Sequence, residues 1–413
     1  MKRLASLVLI VCLFVLTACG SNSASGGETD SDTLKVGALF PMSGNLALLG
    51  EESFRGVELA VEEANKNGGI AGGKKLELVT GDAVDADAAQ AEANRLINQK
   101  GIETIVGSYS SSISFAASEV AERNGVLYWE FGAVADNITD RKYNYVLRTN
   151  PPASYLSKVH IQFIKEVVAD KLGKDLEDVK VAIAHEDSSY GTTIAEEAKR
   201  LGEEEGVNIV TTQPYSAGTN DLSSVILNLK EVDPDVLIGV SYLNDAVLLE
   251  RQSEELGLDV PVFIGSGGGH DMLDFIEAAG ENADGTFNVA FPQYNFNDEF
   301  TPGLKEFVDL YKEKYGEAPR SGHSLVDYMG MKVLIDVLDE VGETDPDKLK
   351  EAALKYTAEA GTTATGWGVE FDPETGQNLR SRPYVQQWRD GELVAVWPQE
   401  VAVEEPLFNL EGN

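Results

Sequence analysis

Cysteine is nearly absent from these 413 residues: only Cys12 and Cys19 occur, both ahead of the stretch with globular composition. Beyond them a disulfide framework and a thiolate metal site are excluded, and stability must come from a packed core. Histidine is equally sparse. His160, His185, His270 and His323 are scattered singly, and a lone histidine such as His270, with Asp271 and Asp274 nearby, reads as a helix cap more readily than as a metal site. Basic residues are outnumbered, 33 against 69 acidic, for a net charge of −36. A surface of that sign repels phosphate backbones and argues against nucleic acid as a partner. No Gly-x-Ser-x-Gly nucleophile elbow occurs. The run Gly265-Ser266-Gly267-Gly268-Gly269 is not Gly-x-Gly-x-x-Gly and follows a late strand, so it carries no dinucleotide reading. It reads instead as a loop that a ligand approaches closely, with Gly267 the contact. Nothing in the chain points to an enzyme, a cofactor or a metal.

Long apolar runs are missing too, apart from one at the start. Lys2 and Arg3 precede Leu4–Val15, and the small-residue stretch Leu16-Thr17-Ala18-Cys19-Gly20 follows. Charged, apolar and cleavable parts in that order predict a secretory signal over 1–18. The apolar run is shorter than the roughly 20 residues that span a bilayer. Its end resembles the lipobox of bacterial lipoproteins, which implies that Cys19 is diacylated and becomes the mature N-terminus. Two acyl chains hold a protein at a membrane without a span. Loss of Lys2 and Arg3 takes the net charge from −36 to −38. Residues 19–32 are Ser, Gly and acid with no large apolar group, which predicts a disordered tether.

What remains is long enough for two ordinary domains, and 43% hydrophobic residues suit an ordered globular chain. From Thr33 onward, strand-length apolar runs alternate with amphipathic helical segments. Leu34–Phe40, Leu76–Thr80, Thr104–Ser108, Val126–Phe131 and Tyr145–Thr149 read as strands, with helices near Ser53–Lys66, Ala86–Gln99 and Ile113–Arg123. A second round starts with a long helix at Ala153–Leu172 and continues through strands at Lys180–His185, Ile209–Gln213, Val236–Ser241 and Val262–Gly265. These runs are continuously apolar, which two-faced burial in a parallel sheet requires. The expected fold is α/β: two doubly wound parallel-sheet lobes. The last third predicts helices over 298–315, 322–341 and 348–356. A hairpin follows, in which Tyr384–Trp388 and Leu393–Trp397 flank Arg389-Asp390-Gly391.

Several residues stand where ligands gather in such sheets, at strand ends. Ser110, Ser111 and Ser112 lie between a strand and the next helix, where hydroxyls and free N–H groups converge on a point suited to a carboxylate. Trp129-Glu130 ends a buried strand: the acid could meet a ligand ammonium or amide and the indole could stack on it, or both could belong to the core. Tyr190 opens the helix after the second round's first strand, and Tyr242 with Asp245 occupies a later loop of the same kind.

Phrases in order along the chain carry a family resemblance: Val36-Gly37-Ala38-Leu39-Phe40-Pro41-Met42-Ser43-Gly44, Gly56-Val57-Glu58-Leu59-Ala60, Gly107-Ser108-Tyr109-Ser110-Ser111-Ser112, Gly132-Ala133-Val134-Ala135-Asp136, Asp187-Ser188-Ser189-Tyr190-Gly191 and Phe371-Asp372. Together they resemble the leucine/isoleucine/valine-binding family of ABC transporter substrate-binding proteins, the type I periplasmic binding protein fold. The resemblance implies two lobes joined by a three-segment hinge, with 33–152 plus 288–360 as lobe 1 and 153–287 plus 361–405 as lobe 2. It implies an extracytoplasmic, lipid-anchored monomer that closes on a small-molecule solute and delivers it to ABC permease subunits. A sensor presenting the same closed form to a signalling partner is the alternative, and an anchored amide hydrolase a more distant one.

The family's carboxylate-binding serine falls among Ser110–Ser112, and its Ala-x-Thr segment reads Gly132-Ala133-Val134 here, where Val134 offers an N–H but no hydroxyl. Tyr190 matches the tyrosine that covers the ligand. The glutamate that meets the ligand ammonium in branched-chain amino-acid receptors has no counterpart in the glycine loop. Glu130, Asp245 and Asp271 are the acids that could take its place, and amino acids, short-chain amides, polyamines and aromatic acids all stay open as solutes.

Overall fold

The computed structural model describes residues 33–408. The expected leader at 1–18, the tether at 19–32 and the lipidation site Cys19 lie outside the described residues. Strands β1 (Thr33–Phe40), β2 (Lys75–Asp82), β3 (Thr104–Gly107), β4 (Leu127–Glu130) and β5 (Val146–Arg148) alternate with helices α1 (Ala47–Lys66), α2 (Ala86–Lys100) and α3 (Ser111–Asn124). They make one parallel sheet in the order β2-β1-β3-β4-β5. β3 and β4 are buried along their whole length, and both lack the apolar–polar alternation of a half-exposed strand because helices cover both faces. Local signals set the ends of the helices: Asp85 accepts the Ala88 N–H to start α2, and left-handed Gly101 stops it.

The next elements are α4 (Ala153–Phe163), a π-type turn over Ile164–Val168, α5 (Ala169–Leu172), β6 (Lys180–Glu186), α6 (Ser189–Glu205), β7 (Asn208–Tyr215), α7 (Ser223–Val232) and β8 (Val236–Val240). Then come α8 (Leu243–Leu256), β9 (Val262–Gly265), α9 (Leu273–Ala279) and β10 (Phe287–Ala290). The last elements are α10 (Leu304–Tyr315), α11 (Gly322–Val341), α12 (Pro346–Ala353), β11 (Thr357–Ala358), β12 (Val369–Glu370), β13 (Tyr384–Arg389) and β14 (Glu392–Trp397). The second sheet runs β14-β13-β10-β9-β8-β6-β7, parallel from β10 to β7, with the terminal hairpin added antiparallel. The expected fold class, two doubly wound parallel-sheet lobes, is present.

The lobe boundaries differ from the expected ones. A cut between 287 and 288 falls inside β10, which pairs with β9 and β13 in the second sheet. The chain stays with that sheet as far as Asn297, whose N–H donates to the Val401 carbonyl. Residues 361–378 were expected in the second lobe, yet they lie against the first. The Arg148 N–H donates to the Gly376 carbonyl, Asn378 Nδ2 donates to the Thr149 carbonyl, and Phe371 meets Trp129 edge-on at 5.5 Å. The buried guanidinium of Arg148 explains this placement: Gln377 Oε1 is the acceptor for its Nε at 2.5 Å, so the segment is held to β5. Helix α10 begins at Leu304 and not near 298, because Gly303 in the left-handed region sets its start. The small β11–β12 pair was not foreseen.

Helices α1 and α11 lie close together across the first lobe at Gly56. A Cβ there would stand 2.0 Å from the Ser324 carbonyl oxygen and 2.9 Å from the Tyr328 nitrogen, so only glycine permits the approach. Gly56→Ala is expected to push the helices apart and destabilise the protein by about 2–3 kcal/mol, read as a lower urea midpoint. An unchanged midpoint would show that the crossing tolerates a methyl.

Candidate functional site

The C-terminal ends of both sheets face a shared cavity between the lobes, a place where small-molecule sites form. From the first lobe come Tyr109 after β3, Ser111 at the start of α3, Gly132 and Val134 after β4, and His323 in the first turn of α11. The second lobe supplies Leu156 on α4, Tyr190 on α6, Tyr242 before α8, Ser266–Gly268 after β9 and Asp271. Ala290 and Phe291, where β10 ends, complete the wall. Open α/β sheets collect ligands at this place because loops and helix N-termini converge there.

Of the residues expected from sequence, Ser111, Gly132, Val134, Tyr190, Tyr242 and Gly267 line the cavity. Ser111 Oγ accepts the Ala135 N–H at 3.1 Å, leaving its own hydrogen to donate. The first-turn N–H groups of α3 have no intrahelical partners and add positive potential beside it. Tyr190 donates to the Ser266 carbonyl at 2.5 Å, so its ring is fixed on the second lobe. Gly268, with φ of +59°, carries that contact: a Cβ would meet the Tyr190 hydroxyl at 2.6 Å. The glycine loop is thus shaped by close approach of protein to protein as well as by its place on the cavity wall.

Ser110, Ser112, Glu130 and Asp245 are not on the wall. Ser110 is buried as the residue before α3, its carbonyl accepting from Ser108 Oγ and the Ser114 N–H, and Ser112 is half-buried beyond it. Glu130 is a scaffold: its fully buried carboxylate accepts the N–H groups of Ser108, Phe131, Gly132 and Ala133 at 2.6–3.0 Å, and the hydroxyl of Ser114. It therefore shapes the loop that carries Gly132 and has no oxygen left for a ligand. Burial pushes its pKa up to about 7 even against those donors. Trp129 is core, its indole N–H donating to Thr149 Oγ1 at 3.1 Å. Asp245 accepts the Gly218 N–H with both oxygens at 3.1 Å.

Tyr109, Leu156, Ser266, Gly268, Ala290, Phe291 and His323 were not singled out as cavity residues. Tyr109 directly precedes the serine run, and Phe291 follows a buried strand; either could have been found from its strand-end position. His323 has no such signal. Rings run continuously across the cleft: Tyr190 to Tyr242 at 5.0 Å, Tyr242 to Tyr109 at 6.0 Å, Tyr109 to His323 at 4.5 Å and His323 to Phe291 at 4.9 Å. Burial lowers the His323 pKa to about 3, so this imidazole is neutral. Outside the cavity, Arg320 next to α11 forms a two-pronged ion pair with Asp274 of α9, at 2.6 and 3.0 Å. The Arg320 N–H also donates to Glu52 of α1, so the pair ties the lobes together.

Two doubly wound lobes with a walled cavity between their strand ends define the bilobed α/β binding-protein class. The family model described as periplasmic binding protein matches residues 33–392. Leu/Ile/Val-binding protein homolog 7 of Brucella suis biovar 1 (strain 1330) is 44% identical over 382 residues, covering 92% of this chain and 95% of that protein. Homolog 8 of Brucella abortus (strain 2308) is 44% identical over 376 residues, covering 91% and 93%. The chain belongs to the periplasmic binding protein family, in its Leu/Ile/Val-binding type.

Among solved structures, the branched-chain amino acid transporter substrate binding protein LivJ from Streptococcus pneumoniae str. Canada MDR_19A, in complex with isoleucine, aligns with a TM-score of 0.76 at 25% identity. That alignment covers 91% of this chain and 100% of that one. The fold is shared by a solute binding protein of an ABC transporter from Rhodopseudomonas palustris BisB5 in complex with 3,4-dihydroxybenzoic acid. Its TM-score is 0.74 at 24% identity, over 91% of this chain and 99% of that one. These relatives are binding proteins, not enzymes, and the family places the chain outside the cytoplasm. Among the described residues no helix is long and apolar enough to cross a membrane, and no metal-ligating cluster occurs.

Proposed function

We propose that this protein is the extracytoplasmic solute-binding lipoprotein of an ABC importer, anchored through Cys19, and that it captures an amino acid or related small carboxylate by closure of its two lobes. The observation that carries the reading is the cavity walled by both lobes, with a hydroxyl donor and a helix N-terminus on one side and aromatic rings on the other. In this reading Ser111, Gly132 and Val134 hold the carboxylate, while Tyr190, Tyr242 and Gly267 cover the solute. Glu130 supports the wall from behind through Gly132, while Ser110, Ser112 and Asp245 lie off it. Closure then gives permease subunits a form to recognise. The relatives' names and the isoleucine complex support an amino acid as the solute.

The test is a thermal-shift screen of the mature protein against amino acids, amides and aromatic acids, followed by calorimetry on the hits. Ser111→Ala is expected to weaken the best carboxylate ligand about tenfold, or 1.4 kcal/mol. The same change strands the Ala135 N–H and lowers the stability of the unliganded protein by about 1 kcal/mol. Undiminished affinity in the variant would remove Ser111 from the site.

A further inference from the structure

Arg148, at the end of β5, is fully buried, and among the described residues its guanidinium bonds to no carboxylate. Its donors go to uncharged acceptors instead. Nη1 reaches the carbonyls of Ala133 and Ala135 at 3.3 and 2.8 Å, Nη2 reaches Thr139 Oγ1 at 3.0 Å, and Nε reaches Gln377 Oε1 at 2.5 Å. Asp136, the acid with the strongest electrostatic pull on it, bonds to the N–H and hydroxyl of Ser154 on α4 at 3.0 and 2.5 Å. Hiding a cation without an ion pair is costly. A neutral side chain could pin one segment to β5, whereas reaching separate acceptors on two stretches of chain takes the rigid five-donor fork of arginine.

Two of those acceptors, Ala133 and Ala135, flank Val134, which lines the cavity with Gly132. The N–H groups of Gly132 and Ala133 converge on Glu130. Amides of this loop thus face an anion and its carbonyls a cation, and the opposed charges fix its peptide planes. Beyond the loop, the Nε prong reaches the place where the chain passes from lobe to lobe. It passes at 149–152, between β5 and α4, and again at 379–383, ahead of β13. Gln377, which accepts from Arg148, donates through Nε2 to the carbonyls of Asn150 at 2.9 Å and Asn378 at 3.0 Å. Asn150 Nδ2 in turn donates to the Ala133 carbonyl at 3.0 Å, and the Ala153 N–H donates to the Val134 carbonyl at 2.7 Å. A closed circuit of hydrogen bonds therefore runs from the cavity wall through Arg148 to both crossings and back to the wall.

We propose that Arg148 is a positioning residue for solute capture: it never touches the solute, but it joins the wall loop around Val134 to two crossings of the hinge, so that loop shape and lobe angle change together. A solute seated on the loop then favours the closed angle, and opening of the hinge slackens the loop's grip. This role rests on the cavity being the solute site. A residue that only pinned the 361–378 segment to β5 would affect stability and nothing else.

The test compares the mature parent with Gln377→Met, which keeps the side chain's length and removes its acceptor, and with Gln377→Glu, which restores an acceptor. Two readouts are taken: stopped-flow kinetics with the best compound from the screen above, and hydrogen exchange of the 132–135 backbone amides without solute. Gln377→Met is expected to release solute about tenfold faster, the worth of one charge-assisted hydrogen bond, with association within about twofold of the parent. Its 132–135 amides are expected to exchange about tenfold faster, and Gln377→Glu to recover both rates. A lower melting temperature in Gln377→Met with both rates as in the parent would overturn the role, as would failure of Gln377→Glu to recover them. If Gln377→Met does not fold, the parent decides: solute must slow exchange at 132–135 and at 377–381 together, and protection of the loop alone overturns the coupling. If no compound binds the parent, the solute site itself falls and this role with it. Binding by the parent with unchanged rates in Gln377→Met removes the role of Arg148 alone.

Discussion

Glu130→Ala is expected to destabilise the protein by about 3–5 kcal/mol and to weaken solute capture at least tenfold, although Glu130 never touches the cavity. Its carboxylate gathers the N–H groups of Ser108, Phe131, Gly132 and Ala133 on a single acceptor. Truncation strands those donors in a dry interior, where each unsatisfied group costs about 1–3 kcal/mol before relaxation. The loop would relax by turning its amides elsewhere, which displaces Gly132 and Val134 from the wall. Chemical denaturation measures the first effect and calorimetry with the best ligand the second. A variant within about 1 kcal/mol of the parent would show that the loop holds its shape without the acid. Glu130→Gln is a milder probe: one oxygen remains as an acceptor, but the amide nitrogen points a donor at the converging N–H groups.

The unliganded protein is expected to lose stability as pH rises from 5 to 8, the reverse of the usual acid denaturation. Both Asp271 and Glu130 hold folded-state pKa values above their unfolded ones, near 8 against 3.8 and near 7 against 4.5. The native state therefore binds protons that the unfolded chain has released, and stability falls with pH wherever that difference exists. The contribution is complete below about pH 4 and is lost as pH climbs through the folded-state values. Three pH units at 1.36 kcal/mol each put the Asp271 part on the order of 4 kcal/mol. Melting curves at unit steps of pH check this, and Asp271→Asn should flatten part of the slope, the rest coming from Glu130 and from Glu250 and Asp245, which burial raises to about 7 and about 6. A melting temperature that is level or rises over that interval would contradict the raised pKa values of these acids.

Much of the architecture could be read from the chain because parallel strands buried on two faces leave unbroken apolar runs, as in Val236–Val240, and because caps such as Asp85 and Gly101 mark helix ends. Lobe membership was less legible. It depends on which sheet a strand joins, and β10 or the segment around Gln377 carries no local mark of its partner. Strand-end position drew attention to Ser111, Tyr190 and Tyr242, which line the cavity. The same rule left Glu130 open between ligand and core, since sequence shows that an acid is near a site but not how many backbone amides turn toward it. Asp271 is the converse case. Nothing in its neighbours along the chain reveals that both of its oxygens are left without a partner in the fold.

The Arg320–Asp274 bridge and the ring contact between Tyr109 and Tyr242 both join one lobe to the other. Separating the lobes parts both contacts, which ties the escape of a captured molecule to the opening of the clamp. Residence time then becomes a property of the seam as much as of the contacts with the guest. A membrane partner that pries the seam apart would hasten delivery while leaving the guest's own interactions untouched until the moment of release.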